Sequence, residues 1–339
     1  MKTVIRATIL LALITSLSAG NAQSLAEQNQ FENRPVATIK GVRTKTDIST
    51  SGKQDNVVII TGARFSYPLL QKWIDDYSKT NPDAQVIIES RGSADPAQYD
   101  ILAEVYDQDP SVKATREYIN IGRYAVLPVA NSRSAFAKVY SDKGLNKDLI
   151  TQLFFHDPYT DKKEQPVKAP FTVYTRLQKA GAPIVFTRYF GFEQKDIKGK
   201  AIAGSDENLF KALLRDSNAV SYLPLTLLYD HASRKQVAGV TALPVDVNDN
   251  GKVSDDEKFY DNLDKVIERL EGAKDLKNVP VVYLHLSVDR EKATPEAIAF
   301  LRWVRENGQK DLHDFGYLNP DKNRDDTSFE KFASKHRSP

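Results

Sequence analysis

The chain contains no cysteine among its 339 residues, so disulfides, thiolate-bound metals, thiol nucleophiles and lipid attachment through a cysteine are excluded. Histidine is scarce as well. The 5 present, His156, His231, His285, His313 and His336, include no two at metal-ligand spacing and are read as surface or packing residues. Catalytic signatures are missing: there is no G-x-S-x-G elbow, no H-E-x-x-H and no G-x-x-x-x-G-K-[ST]. A serine nucleophile would therefore lack a recognisable base, and the chain is read as a non-enzyme. Charge excess is absent too, since 47 basic residues stand against 45 acidic ones, and loss of Lys2 and Arg6 with an N-terminal leader leaves 45 against 45. A chain so balanced has no bulk attraction for nucleic acid.

What is present begins with that leader. Lys2 and Arg6 precede the apolar run ATILLALITSLSAG, which ends in small residues before a cut expected after Ala22. The run is too short and wrongly flanked for a membrane span, so residues 1–22 are read as an export signal and the mature chain as periplasmic or secreted, with no membrane span. Residues 23–55 are polar and turn-rich and read as a flexible arm. The remaining length suffices for two lobes with their own cores, without help from disulfides.

From Val57 onward strand-like and helix-like segments alternate, which predicts an α/β layered fold with its functional turns at strand ends. The pivotal stretch is VVIITGARFSYPLLQKWIDDYSKTN, from Val57 to Asn81. Val57 to Ile60 form a β-branched run suited to a strand covered on both faces, and Gly62 permits a tight turn. Pro68 suits a first helical turn, with Leu69, Leu70, Trp73, Ile74 and Tyr77 at helical spacing behind it. The helix N-terminus would then face the turn, with the Ser66 hydroxyl and the Arg64 charge beside it, as an anion seat. The same residues also fit a plain turn in which Ser66 caps its own helix.

Further strands are expected at Gln85–Ile88, Asp100–Tyr106, Phe171–Thr175, Ala219–Leu223, Val240–Val245 and Val281–Val288. Pro128 marks Ile119–Val129 as an edge or connecting strand. Asn146 opens a helix, Arg176 is followed by a turn LQKAGAP, and Ser205 caps a helix with Asp206 and Glu207 in its first turn. A helix with Leu263, Val266, Ile267 and Leu270 closes on Gly272, and Thr294 with Pro295 opens another that ends at Asn307 and Gly308. Residues 321–339 are highly charged and are expected to be a mobile tail.

Several stretches together resemble the periplasmic phosphate-binding proteins of ABC importers. TGARFSYPLLQKW is similar to that family's first loop and helix, and SRGS at Ser90–Ser93 to its second loop. IGRYAVLPVAN and GLNKDLITQLFF resemble its crossing strand and following helix, and FLRWVRENGQKDLHDFGYLNP its C-terminal signature. The resemblance spans roughly residues 57 to 320 and implies two α/β lobes, each a mixed sheet flanked by helices, joined by hinge strands at Tyr124–Val129 and Val281–Leu286. One lobe would combine residues 57–123 with 287–320, and the other would span 130–280. It further implies anion contacts from Ser66, the backbone N–H of Tyr67, Ser93, Gly181 and Arg176, the last through charge-assisted bonds. Arg64 and Arg91, with Gln178 and Lys179, are further candidates for a different or larger anion. The chain departs from the family at Ala180, Gly181 and Ala182, where the family has serine, glycine and threonine, and its proton-accepting aspartate has no clean counterpart, although Glu104 and Asp107 lie near.

DVNDNGKVSDDE, residues 246–257, fits the calcium-loop pattern D-x-[DN]-x-[DN]-G-x5-E. Asp246, Asn248 and Asn250 would present oxygens, Lys252 its carbonyl, Ser254 an oxygen directly or through water, and Glu257 both carboxylate oxygens. Gly251 makes the turn. The alternative is an Asn-Asp-Asn-Gly turn with incidental acids. The preceding TALPV is strand-like, so this would be a lone loop.

The expectation is an extracytoplasmic solute-binding protein. It would capture a small inorganic or organic anion, phosphate first, act as a monomer and deliver to an ABC permease. A calcium-stabilised secreted binding or adhesion module with a degenerate cleft is the alternative.

Overall fold

The computed structural model describes residues 57–89, 98–106, 110–155, 167, 169–273, 276–321 and 327–335. The expected signal at 1–22 and arm at 23–55 lie outside them. Among the described residues the strands are β1 (Val57–Gly62), β2 (Gln85–Ile88), β3 (Ile101–Glu104), β4 (Arg116–Asn131), β5 (Thr172–Arg176), β6 (Lys200–Ile202), β7 (Ala219–Pro224), β8 (Val240–Ala242) and β9 (Val281–Asp289). The helices that matter here are α1 (Tyr67–Thr80), α2 (Ala135–Lys143), α3 (Lys147–Phe154), α4 (Gly181–Tyr189), α5 (Asp206–Arg215), α6 (Leu263–Gly272), α7 (Pro295–Asn307) and α8 (Thr327–Lys335).

The strands follow the order β2-β1-β3-β9-β4-β7-β5-β6, with β8 also on β4. β1 runs parallel to β2 and β3, and β9 antiparallel to β3 and β4. On the other side β7 and β8 run antiparallel to β4, while β5 is parallel to β6 and β7. β4 links the two halves. Residues 116–125 pair with β9, and 126–130 pair with β7. The sheet is thus mixed and helix-flanked, with one long strand shared by two lobes.

Pro128 therefore lies inside the longest strand, not on an edge. Its carbonyl accepts from Leu243 N–H at 2.9 Å, on the β8 side. In an extended strand a residue's N–H and C=O point the same way, so the missing proline donor faces the point where the short β8 ladder ends. β1 also differs from expectation. Val58 and Ile60 are buried while Val57 and Ile59 are half-buried, so one face is less covered than the other.

α1 packs its apolar stripe against α7. Trp73 is fully buried and its Nε1 donates to the Gly308 carbonyl at 3.0 Å. Tyr77 meets Phe300 and Trp303 edge-on at 5.3 and 5.7 Å between ring centres. In the other half an aromatic cluster forms the core: Phe186 stacks on Tyr222 at 4.8 Å and meets Phe154 edge-on at 4.9 Å. Burial of such side chains contributes about 1.5–3 kcal/mol each. α3 begins as expected, with Asn146 Oδ1 accepting from Leu149 N–H at 3.0 Å, and α7 with Thr294 Oγ1 accepting from Ala297 N–H at 3.2 Å.

The residues expected to form a loose tail include α8, whose Phe329 and Ala333 are buried and whose Glu330 pairs with Arg305 at 2.6 Å. Phe329, Phe332 and Ala333 recur at helical spacing, a signal hidden by the surrounding charges.

Candidate functional site

The turn after β1 is shaped by glycine. Gly62 has φ +134°, and a Cβ there would lie 2.1 Å from the Ala103 carbonyl oxygen, so only glycine lets the chain run this close to β3. A single 3-10 turn, Arg64–Ser66, precedes α1. Ser66 is fully buried, and its hydroxyl donates to the Ala63 carbonyl at 2.6 Å and accepts no capping bond from a helix N–H. Ser66 N–H donates to Ala63 and Tyr67 N–H to Arg64. Both donors inferred at this bend are therefore spent inside the turn. The helical stretch starts at Ala63, which has no capping side chain, so the exposed head of the helix dipole is shifted toward Phe65.

Opposite this turn, β5 ends on Arg176. The Nη1 of its guanidinium donates to the Asp206 carboxylate, and its Nε is enclosed without a partner among the described residues. The Arg176 side chain is 10% exposed and that of Asp206 14%, so the ion pair is largely dry. Burial pushes the Asp206 carboxyl above its usual range, against the pull of Arg176 and the more distant Arg64, with Glu207 adding to the rise. That Asp206 feels the charge of Arg64 brings the Ser66 turn and the Arg176 pair into one electrostatic neighbourhood. Asp206 opens α5 after Ser205, which holds the N-cap position without a side-chain bond.

The floor between them is apolar. α4 begins where the sequence suggests only a turn, and a Cβ on Gly181 would lie 2.2 Å from Val105 Cγ2 and 3.5 Å from the Phe65 ring. Phe65 meets the Tyr124 ring at 5.1 Å between centres. Tyr124 O–H donates to the Val105 carbonyl at 2.8 Å, and Tyr317 O–H to the Phe65 carbonyl at 3.1 Å. Burial raises both phenols well above their ordinary range, which keeps them neutral donors. Ala180 caps α4 with no side-chain bond, and Pro183 supplies no N–H, so the first turn offers backbone donors alone.

The start of α4 thus lies against Phe65 and Val105, and Arg64 lies within electrostatic reach of the Arg176–Asp206 pair, whereas Ser93, Arg91 and Asp107 lie outside the described residues. Gln178 accepts from Gly204 N–H at 3.0 Å on the exposed rim, and Lys179 is exposed. Glu104 belongs elsewhere. Ser287 Oγ donates to its carboxylate and accepts from Arg116 Nε at 2.8 Å, within a buried strand-face network. The residues of this neighbourhood missed from sequence are Phe65, Val105 and Asp206. An acid in a helix's first turn was legible, but nothing local showed that it reaches Arg176.

The 246–257 loop closes on itself. Asp246 and Glu257 are fully buried. Asp246 accepts from Asn250 and Gly251 N–H at 3.1 and 2.7 Å, and Glu257 from Val247 and Ser254 N–H, both at 2.8 Å. Asn248 and Asn250 accept from Asn250 and Lys252 N–H at 3.1 and 3.0 Å, and Gly251 takes φ +88°. Among the described residues no group of three or more His, Cys, Asp or Glu is placed to hold a metal. A calcium ion here would rest on two carboxylates plus amide, hydroxyl and carbonyl oxygens. Of the histidines, His285 is buried beside Tyr118, and His313 pairs with Glu271 at 2.9 Å. His156 and His336 lie outside the described residues.

Two helix-flanked lobes sharing one long strand make the fold seen in two-lobed binding proteins. The chain is similar to the phosphate-binding protein PstS of Methanocaldococcus jannaschii, 28% identical over 341 aligned residues that cover 82% of this chain and 87% of that protein. Among solved structures it resembles a putative phosphate ABC transporter substrate-binding protein with bound phosphate from Clostridium perfringens, with TM-score 0.55, 16% identity and coverage of 78% of this chain and 100% of that one. An ABC-type phosphate transport receptor from Vibrio cholerae gives TM-score 0.53 at 12% identity, over 78% and 100% of the two chains. No protein-family model matches the chain. All three relatives bear names of binding or transport proteins, in agreement with a non-enzymatic reading. Among the described residues no helix is long and apolar enough to cross a membrane.

Proposed function

We propose that this chain is an extracytoplasmic solute-binding protein that captures a small oxyanion, phosphate first among candidates, in the cleft bordered by the Arg64–Tyr67 turn, Arg176 and the start of α4. The observation that carries the reading is Arg176. Its guanidinium is nine-tenths buried, and although Nη1 is held by Asp206, its Nε has no partner among the described residues and is a donor that a ligand would satisfy. The phosphate named for the similar proteins makes that ion the first choice, and an ABC-type permease the partner. Calorimetric titration with phosphate, sulfate and small organophosphates, on wild type and Arg176→Ala, tests it. Binding in the wild type that is lost or falls about 100-fold in the variant is expected, as for removal of a strong charge-assisted contact. Absence of binding to any of these anions by the wild type would refute the reading.

Calcium is proposed as a structural ion of the 246–257 loop, bound by Asp246, Asn248, Asn250, the Lys252 carbonyl, Ser254 and Glu257. The supporting fact is that all six lie in one closed loop with its glycine in the left-handed region.

A further inference from the structure

Asp206 is surrounded as a bound anion would be. Arg176 of β5 donates to it, the charge of Arg64 reaches it from the turn before α1, and it opens α5, where backbone N–H groups favour a negative group. Glu207 faces it from its own helix, and the phenols of Tyr222 on β7 and Tyr124 on β4 feel its charge. With Asp206 ionised, the charges of Arg176 and Arg64 are balanced by those of Asp206 and Glu207. With Asp206 neutral, the neighbourhood is positive and receptive to an anion.

We propose that Asp206 is a tethered occupant of the anion seat, and that a diffusible oxyanion is captured by exchange with it on Arg176, with uptake of a proton by the displaced carboxylate. The inference rests on the oxyanion reading above. Two anions on one guanidinium repel strongly where water is scarce, so the arriving anion favours the protonated carboxyl. Burial already favours that form. A group whose protonated state binds ligand more tightly gives an affinity that rises as pH falls through its titration, with a proton taken up per ligand bound.

The test is calorimetry on the mature chain, wild type and Asp206→Asn, with inorganic phosphate and with sulfate, whose charge is constant over the working range. Asp206→Asn is expected to bind phosphate at least about tenfold more tightly than wild type. Wild-type sulfate affinity should rise between about pH 8 and about pH 5, with a heat that varies with the ionisation enthalpy of the buffer, and the variant should show neither effect. The sulfate profile and buffer dependence of the wild type stand even where the variant folds poorly. A variant that binds equally or more weakly, beside a wild type without proton uptake, would overturn the exchange while leaving oxyanion capture standing. Failure of wild type and a folded variant alike to bind either anion would remove both readings. Binding by the variant alone would likewise remove both readings, since the wild-type carboxylate would then never yield its place to a diffusible anion.

Discussion

Gly181→Ala is the sharpest probe of the cleft. The added Cβ would meet Val105 Cγ2 at 2.2 Å, so reaching an ordinary carbon contact of about 3.5–4.0 Å needs a displacement of more than 1 Å. Val105 has little freedom to yield, being buried with its carbonyl held by Tyr124. No left-handed backbone angle requires glycine at this position, and alanine would favour the helix by about 0.5–1 kcal/mol. Any loss is thus attributable to the contact across the cleft. Overpacking of this kind costs about 1–3 kcal/mol, and if the cost falls on the closed form, phosphate affinity should drop roughly 5- to 150-fold. Small-angle scattering should show a larger radius of gyration even without ligand. Val105→Ala in the same chain should restore much of both, giving a coupling energy in a double-mutant cycle. A Gly181→Ala protein as compact and as tight-binding as wild type would refute this account of the floor.

Asp76 is held at about 2 by hydrogen bonds and charge from Lys72 and Lys79. Its folded value lies below the unfolded one, so its contribution is fully present above about pH 4 and fades as pH falls toward 2. Asp76→Asn should therefore flatten the fall in melting temperature between about pH 5 and pH 2, and an unchanged slope by circular dichroism would count against it. For the 246–257 loop, a lone calcium site of about 1 mM affinity should stabilise the fold by about 1.4 kcal/mol in about 10 mM calcium. Melting should rise accordingly in wild type and not in Asp246→Asn, and a chelator should reverse it. A wild type indifferent to calcium leaves an ordinary turn.

Where a stretch carries its own local instructions, the sequence sufficed. Pro68, the Leu69 to Tyr77 stripe, Asn146 and Thr294 each act within a turn of themselves, and those helices lie where the pattern puts them. α4 was illegible for the opposite reason. APIVFTRYF is rich in β-branched and aromatic residues and lacks a capping side chain; its helix is held by Phe186 and Ile184 buried in a core assembled from distant strands. Pro128 lies on a connecting strand, as the sequence suggests, but in mid-sheet rather than at an edge, because one lost donor is tolerable where a neighbouring ladder stops. At the site, Arg176 and the Ser66 turn were readable as motifs, whereas the spending of the Ser66 and Tyr67 donors depends on helix phase, and the reach of Asp206 on tertiary placement.

Ala180 and Ala182 give the cleft its particular balance. Hydroxyls at those positions would offer an anion bonds of about 1.5–3 kcal/mol each. Ala182 is instead buried, and Gly181 brings the backbone of α4 against Val105 and Phe65. Attraction between the lobes therefore comes partly from apolar contact that needs no ligand, and partly from the charge of Asp206 between Arg176 and Arg64. A ligand shifts an open–closed equilibrium only by the difference in its affinity for the two forms. Contacts that favour closure on their own raise apparent affinity by pre-paying the movement, but they shrink the change in population that a partner sensing closure can read. Gly181→Ala perturbs the first source alone, whereas Asp206→Asn removes the second together with the carboxylate that competes for Arg176, so on the proposed function the first variant reads out closure and the second reads out that competition.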